Sequence, residues 1–213
     1  MGRSVAGGGI RRKNKLMQPD LKEWLIRSFT DPKSVARDLI GLNLSGNARF
    51  MAMVLVVVMT AILGTLAQLV FSFITKVDIG TVTPPLTVVG LQAALLVYGA
   101  FAMSFVGQRF GGNGKFSDAL LLLTWIEFVL MIGQMIQVVL MVFFPISATL
   151  MSVLLVALMF YLLVQFTMVL HGFENPLATG FGVILTFLGS AMIAGIVLVS
   201  TGLVQMPADP ASL

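Results

Sequence analysis

The chain has no cysteine, a single histidine and few charges. Without cysteine there can be no disulfide, no thiolate metal site and no cysteine nucleophile. One histidine, His171, rules out a histidine-rich metal centre within one chain. Charged residues make up 10% of the sequence, against about 25% in ordinary soluble domains. Paired carboxylates, an HExxH motif and a serine-protease arrangement are all missing. Gly111-Gly112-Asn113-Gly114-Lys115-Phe116 resembles a phosphate loop only superficially. That motif needs Gly where Arg109 stands and Ser or Thr where Phe116 stands. The N-terminal region lacks the apolar core of a secretory signal, because Arg11, Arg12, Lys13 and Lys15 lie far ahead of the first long apolar run.

Apolar sequence is what the chain has in quantity, with 58% hydrophobic residues. From Phe128 to Leu170 there are 43 uncharged residues in succession, interrupted only by Pro145. A spanning helix needs about 20 apolar residues, so this stretch holds two. Uncharged runs bounded by turn signals predict five spans, at about Phe50–Thr75, Leu86–Gly107, Ala119–Phe144, Ser147–Leu170 and Pro176–Gln205. Ser117 is expected to cap the third span, and Asn175 followed by Pro176 to open the fifth. The fold class that follows is all-α, an integral membrane bundle of five transmembrane helices with a short cytoplasmic amphipathic N-terminal segment. Residues 1–18 are expected to be a flexible basic arm, 19–48 amphipathic interfacial helices, 49–206 the membrane domain and 207–213 an external tail.

Charge placement predicts the orientation. Of the 13 Lys and Arg residues, ten precede residue 50, and Arg109 and Lys115 fall in the loop after span two. Lys76 alone falls on the opposite side. The positive-inside rule therefore expects a cytoplasmic N-terminus and an external C-terminus. A basic arm beside a membrane reads as an orientation signal and a lipid-headgroup contact. No aromatic-interleaved basic fold accompanies it, so nucleic acid is not an expected partner.

Between the arm and the first span, Asp20 with Glu23 resembles a capping box opening a short helix to about Phe29. Asp31-Pro32 starts a second helix, with Val35, Leu39 and Leu42 on one side. Such a pair can lie along the headgroups or fold as a hairpin onto the cytoplasmic loops.

Glu127 is the one ionisable residue read as well inside a span. A carboxyl there costs roughly 3 kcal/mol to insert and needs a partner, water or a proton. Thr124, Gln134 and Gln137 share its side of the third helix, and this polar stripe has to face the bundle interior or a neighbouring subunit. Its functional reading is a proton or ion site, with Glu127 expected to be protonated at neutral pH. The favoured structural reading is helix glue, with Glu127 bonded to Gln68, Gln92 or Gln165. His171 and Glu174, in one short turn, could form an acid/base pair, although a histidine at a span end reads first as an anchor or helix cap.

Three features together resemble the bacterial branch of the YIP family, five-span proteins named for interacting with Ypt/Rab GTPases. They are the lead-in Phe29-Thr-Asp-Pro32-Lys-Ser-Val-Ala-Arg37, the loop Gly111–Phe116 before span three, and the His171-Gly172 turn before span five. The tyrosine-glycine-proline signatures of the eukaryotic members are absent, so Rab binding is not carried over. The resemblance implies a cytoplasmic N-terminus, five helices and a non-enzymatic role organising membranes or partner proteins, with no cofactor and no catalytic residue. The expected role is a scaffold, assembly factor or accessory subunit in a bacterial inner membrane, contacting lipid and other membrane proteins or copies of itself. Its contact residues would be Arg11, Arg12, Lys13, Lys15, Trp24 and Lys115. The alternative is a small-molecule or ion transporter using the stripe at Glu127, Gln134 and Gln137.

Overall fold

A computed structural model of the chain describes residues 21–76 and 84–200, with the backbone alone at 197–199. The basic arm, Asp20, the C-terminal tail and the end of span five near Gln205 lie outside the described residues. Seven helices and no strand occur among those described: α1 (Leu21–Thr30), α2 (Pro32–Gly41), α3 (Gly46–Thr75), α4 (Pro85–Arg109), α5 (Phe116–Phe143), α6 (Pro145–His171) and α7 (Pro176–Ser200). The last five are long and apolar enough to cross a membrane. Backbone polar groups have no water partner in hydrocarbon, so uniformly apolar segments of this length close their hydrogen bonds within a helix. At 1.5 Å per residue the 30 residues of α3 extend about 45 Å, past a hydrocarbon core of about 30 Å.

Proline and small polar caps set the boundaries. Pro85 and Pro145 occupy the first turns of α4 and α6, where a missing N–H costs nothing. Phe144, held extended by the proline after it, separates α5 from α6 by one residue. The Asn175 side chain accepts from the backbone N–H groups of Leu177 (3.0 Å) and Ala178 (3.1 Å), as its sequence position suggested. Ser117 does not cap α5. The chain is already extended at Lys115, which takes the N-cap position without a side-chain bond, so Ser117 sits inside the first turn.

Helix α5 is the axis of the bundle and packs against α2, α3, α4 and α6. It buries Leu122, Trp125, Ile126, Val129 and Leu130. Gly133 lets Leu155 of α6 lie directly on its backbone; a Cβ there would collide with the leucine methyl. Helix α7 is peripheral, touching α6 through an edge-to-face pair, Phe160 and Phe187 (5.4 Å), and α4 through a bond from the Tyr98 hydroxyl to Ser190 (2.8 Å).

The two short helices fold as a hairpin against the bundle. Asp31 caps α2 by accepting from the Ser34 N–H (3.2 Å), and Arg27 ties the arms together through Asp38 (3.0 Å) and Ser34 (2.7 Å). Trp24 and Ser28 of α1 and Val35, Ala36 and Leu39 of α2 are buried, and the apolar ones share one core with Trp125, Phe166 and Leu170. Leu42, grouped with Val35 and Leu39 by sequence spacing, is exposed because α2 ends at Gly41. On the outer side of α1, Leu21, Ile26 and Phe29 are exposed.

Candidate functional site

Two polar centres and one ion pair stand out in the bundle. The first surrounds Glu127, three turns into α5. Its carboxylate accepts a short hydrogen bond from the Gln92 side-chain amide of α4 (2.6 Å). Thr60 of α3 faces the same carboxyl, but its buried hydroxyl makes no hydrogen bond of good geometry. Of the three glutamines considered as partners, Gln92 is the one that reaches Glu127. The rest of the stripe diverges. Thr124 bonds back to its own helix at the Leu120 carbonyl (2.8 Å). Gln137 donates to Ser152 of α6 (2.6 Å). Gln134 and Gln137 line a cleft of about 340 Å³ between α3, α4 and α5, together with Thr60 and Gln92. Glu127 therefore lies directly behind the cleft, one hydrogen bond beyond its floor.

The second centre is His171, at the end of α6 and 5% exposed. Its Nδ1 accepts from the Gly114 backbone N–H (3.2 Å) and its Nε2 lies 3.0 Å from the Met103 carbonyl oxygen. A backbone N–H can only donate and a carbonyl can only accept, so these bonds place the ring proton on Nε2. The surrounding glycines make room for the ring. A Cβ on Gly107, Gly112 or Gly114 would overlap the imidazole. The C-terminus of α4 closes in a Schellman turn, Gly112 N–H to Gly107 (2.9 Å) and Gly111 N–H to Gln108 (3.1 Å), with Gly111 at φ +87°. The Gln108 side chain then holds the Gly114 carbonyl (2.6 Å). His171 thus clasps α4, the α4–α5 loop and α6 together. Both ring nitrogens are engaged and Glu174 is exposed, so the two residues do not form an acid/base pair.

The ion pair joins Arg49 of α3 to Asp118 of α5 at 2.8 Å, with side chains only 10% and 17% exposed. Sequence reading counted Arg49 among the basic flank and missed this second buried charge. The available signal was its position four residues after the Ser45 cap, inside the first turn of α3 rather than before it.

The expected contact residues separate. Lys115 is exposed at the α4–α5 loop, whereas Trp24 is withdrawn from that surface. It is 8% exposed and packs edge-to-face on Trp125 (5.6 Å). The indole N–H of Trp125 bonds the Ser28 hydroxyl (2.9 Å), which itself donates to the Trp24 carbonyl (2.8 Å). An apolar ring with its backbone locked in this way is core, not a free contact. Among the described residues, no group of three His, Asp or Glu side chains could hold a metal ion.

No curated protein and no solved structure matches the chain significantly. Residues 26–199 match the Yip1 domain, a stretch that begins in α1 and takes in all five spans, the histidine clasp and the Glu127 centre. The chain is a five-span membrane protein of the Yip1 family.

Proposed function

We propose that the protein is a non-enzymatic membrane scaffold, assembly factor or accessory subunit that binds other membrane proteins or lipid. The observation that supports this reading is that three of the four polar residues of the third span's stripe are engaged. Glu127 ties α5 to α4, Gln137 ties it to α6 and Thr124 bonds its own helix. Interhelical bonds of this kind, worth about 0.6 to 2 kcal/mol each in membranes, hold a bundle closed. In this reading the basic end faces the cytoplasm of a bacterial cell from its inner membrane, by the charge asymmetry. The arm residues Arg11, Arg12, Lys13 and Lys15, with Lys115, meet anionic headgroups or a partner there.

In-cell crosslinking of a C-terminally tagged copy, followed by purification and mass spectrometry, tests the proposal. A discrete partner at near-stoichiometric amount, lost when residues 1–18 are deleted, is the expected result. Recovery of the protein with nothing but itself and bulk lipid would reject it. The second reading, a small-molecule transporter, is favoured by one feature, the polar cleft beside Glu127. Glu127→Gln with unchanged stability and unchanged cellular phenotype would remove that reading's ionisable group.

A further inference from the structure

The two outer flanks of the α1–α2 hairpin are opposite in character. On α1, Trp24 and Ser28 face the bundle, and Arg27 faces α2 through its bonds to Asp38 and Ser34. With 3.6 residues per turn, Ile26 and Phe29 then lie on the side away from α2, and they are 56% and 55% exposed. Lys22 falls between them, on a four-carbon stem long enough to carry its ammonium up to headgroup level. On α2, Val35, Ala36 and Leu39 face the bundle while Ser34 and Asp38 face α1, so Lys33 and Arg37 occupy the far side. Neither of these two forms a salt bridge with a described residue. Across the hairpin the order is apolar flank, ion-paired seam, basic flank.

The depth of the hairpin follows from its anchor. Formal charge belongs at the ends of spans, so the Arg49–Asp118 pair marks the polar end of the bundle. Trp125, which bonds Ser28 and packs on Trp24, lies two turns beyond Asp118 on α5, about 10 Å along the axis. Interfacial helices seat their apolar faces about 5–10 Å into the boundary between headgroups and acyl chains, which is the level of this contact. One turn deeper, Phe128 packs against Trp125 at 5.4 Å and is only partly buried. The lipid-facing surface of α5 therefore begins directly beside the point where α1 is anchored.

We propose that the hairpin is seated edge-on in one leaflet of the bilayer. Ile26 and Phe29 of α1 lie among the first methylenes of the acyl chains, and Lys33 and Arg37 of α2 meet the lipid phosphates above them. Two packed helices are about 8–10 Å apart, a separation that matches the step from acyl chain through glycerol to phosphate. A protein partner would account for the apolar flank alone, whereas the leaflet accounts for both flanks and for the depth of the anchor. This placement rests on the five spans and not on the partner-binding reading, so it stands whether or not crosslinking recovers a partner.

The chain has no cysteine, so single introduced cysteines carry a fluorescent label to one position at a time. The full chain is reconstituted at one copy per nanodisc in mixed zwitterionic and anionic phospholipid. Ile26→Cys, Phe29→Cys and Arg37→Cys are labelled in turn, with Ile62→Cys as a mid-span reference. All four positions are exposed, and unchanged thermal unfolding of each labelled variant checks that the bundle is intact. The quenchers are iodide in the water and a lipid nitroxide placed near the headgroup end or near the methyl end of the chain. The labels at 26 and 29 should be quenched most by the headgroup-end nitroxide, and the label at 62 most by the methyl-end one. Iodide quenching at 26 and 29 should be at least threefold weaker than at 37. Equal iodide quenching at the three hairpin positions would leave the α1 flank in water, open to a protein partner, and would overturn the proposal. Protection of 26 and 29 from iodide and both nitroxides would overturn it in favour of cover by the chain's own residues 1–20. Headgroup-end quenching as strong at 37 as at 26 would overturn the edge-on order.

Discussion

Replacing Arg49 by Met should destabilise the bundle by about 3 kcal/mol, and replacing Asp118 by Leu at the same time should restore most of that loss. The two charges are 2.8 Å apart, with side chains 10% and 17% exposed. At an effective dielectric near 20 the attraction is about 6 kcal/mol. Desolvation costs several kcal/mol per ion, so the pair is close to neutral relative to two apolar side chains. Removing one partner is different, because it strands the other charge in a poorly solvated place, at about 3–5 kcal/mol. The residual exposure of both groups puts the expectation at the low end. The Arg49 Nε–H has no hydrogen-bond partner, so Arg49→Lys, which keeps the charge and drops that donor, should cost less than Arg49→Met. Reversible unfolding in mixed detergent–SDS micelles, applied as a double-mutant cycle, measures these terms. A coupling of about 2–3 kcal/mol is expected, and additivity within about 0.5 kcal/mol would refute the claim that the pair acts as a desolvated unit.

Three further outcomes follow from the same geometry. His171→Ala should cost about 2–4 kcal/mol, since it opens a cavity and strands the Gly114 N–H. His171→Gln, whose amide can both donate and accept, should recover part of that loss in the same unfolding assay; equal losses would show that the ring's volume alone matters. Trp125→Phe removes the indole N–H that Ser28 accepts, so limited proteolysis of the α1–α2 hairpin should accelerate several-fold, and an unchanged cleavage rate would place the hairpin's anchoring elsewhere. For Asp31, bonds from the Ser34 hydroxyl and backbone N–H hold the carboxyl below its ordinary value. A lowered folded value means that the cap's stabilisation is present above the unfolded value near 4 and fades as pH falls through the folded one. Amide exchange in α2 should therefore quicken as pH drops below about 4, after correction for intrinsic rates, and Asp31→Asn should remove that pH dependence.

The clearest readings from sequence concerned single segments. Five spans, the Pro145 break and the Asn175 cap depend on hydropathy and on the chain's immediate neighbours, which act within one or two turns. The α5 start was misplaced because Lys115 turns extended under contacts that arrive from Gln108 and from His171, 56 residues further along. Trp24 was misread for a related reason. An aromatic residue on a short amphipathic helix can face headgroups or a protein core, and periodicity does not distinguish them. Its burial depends on Trp125 and Ser28 meeting across two elements. Arg49 looked like one more basic flank residue until α5 placed Asp118 beside it.

What the sequence by itself determined is the solvent of each segment. Long uncharged runs cannot leave backbone groups bare in lipid, so they are helices, and their number and length follow from the bilayer's thickness. Tertiary structure decided which polar groups meet. Glu127 had three glutamines to choose from, and only the crossing of α4 over α5 selected Gln92. His171 could have capped its own helix, but three glycines from α4 and its loop leave a space that fits the ring, and the bonds there assign its proton. Hydrogen bonds and ion pairs are short-ranged and directional, so their partners are fixed only when helix packing brings distant parts of the chain within about 3 Å of one another.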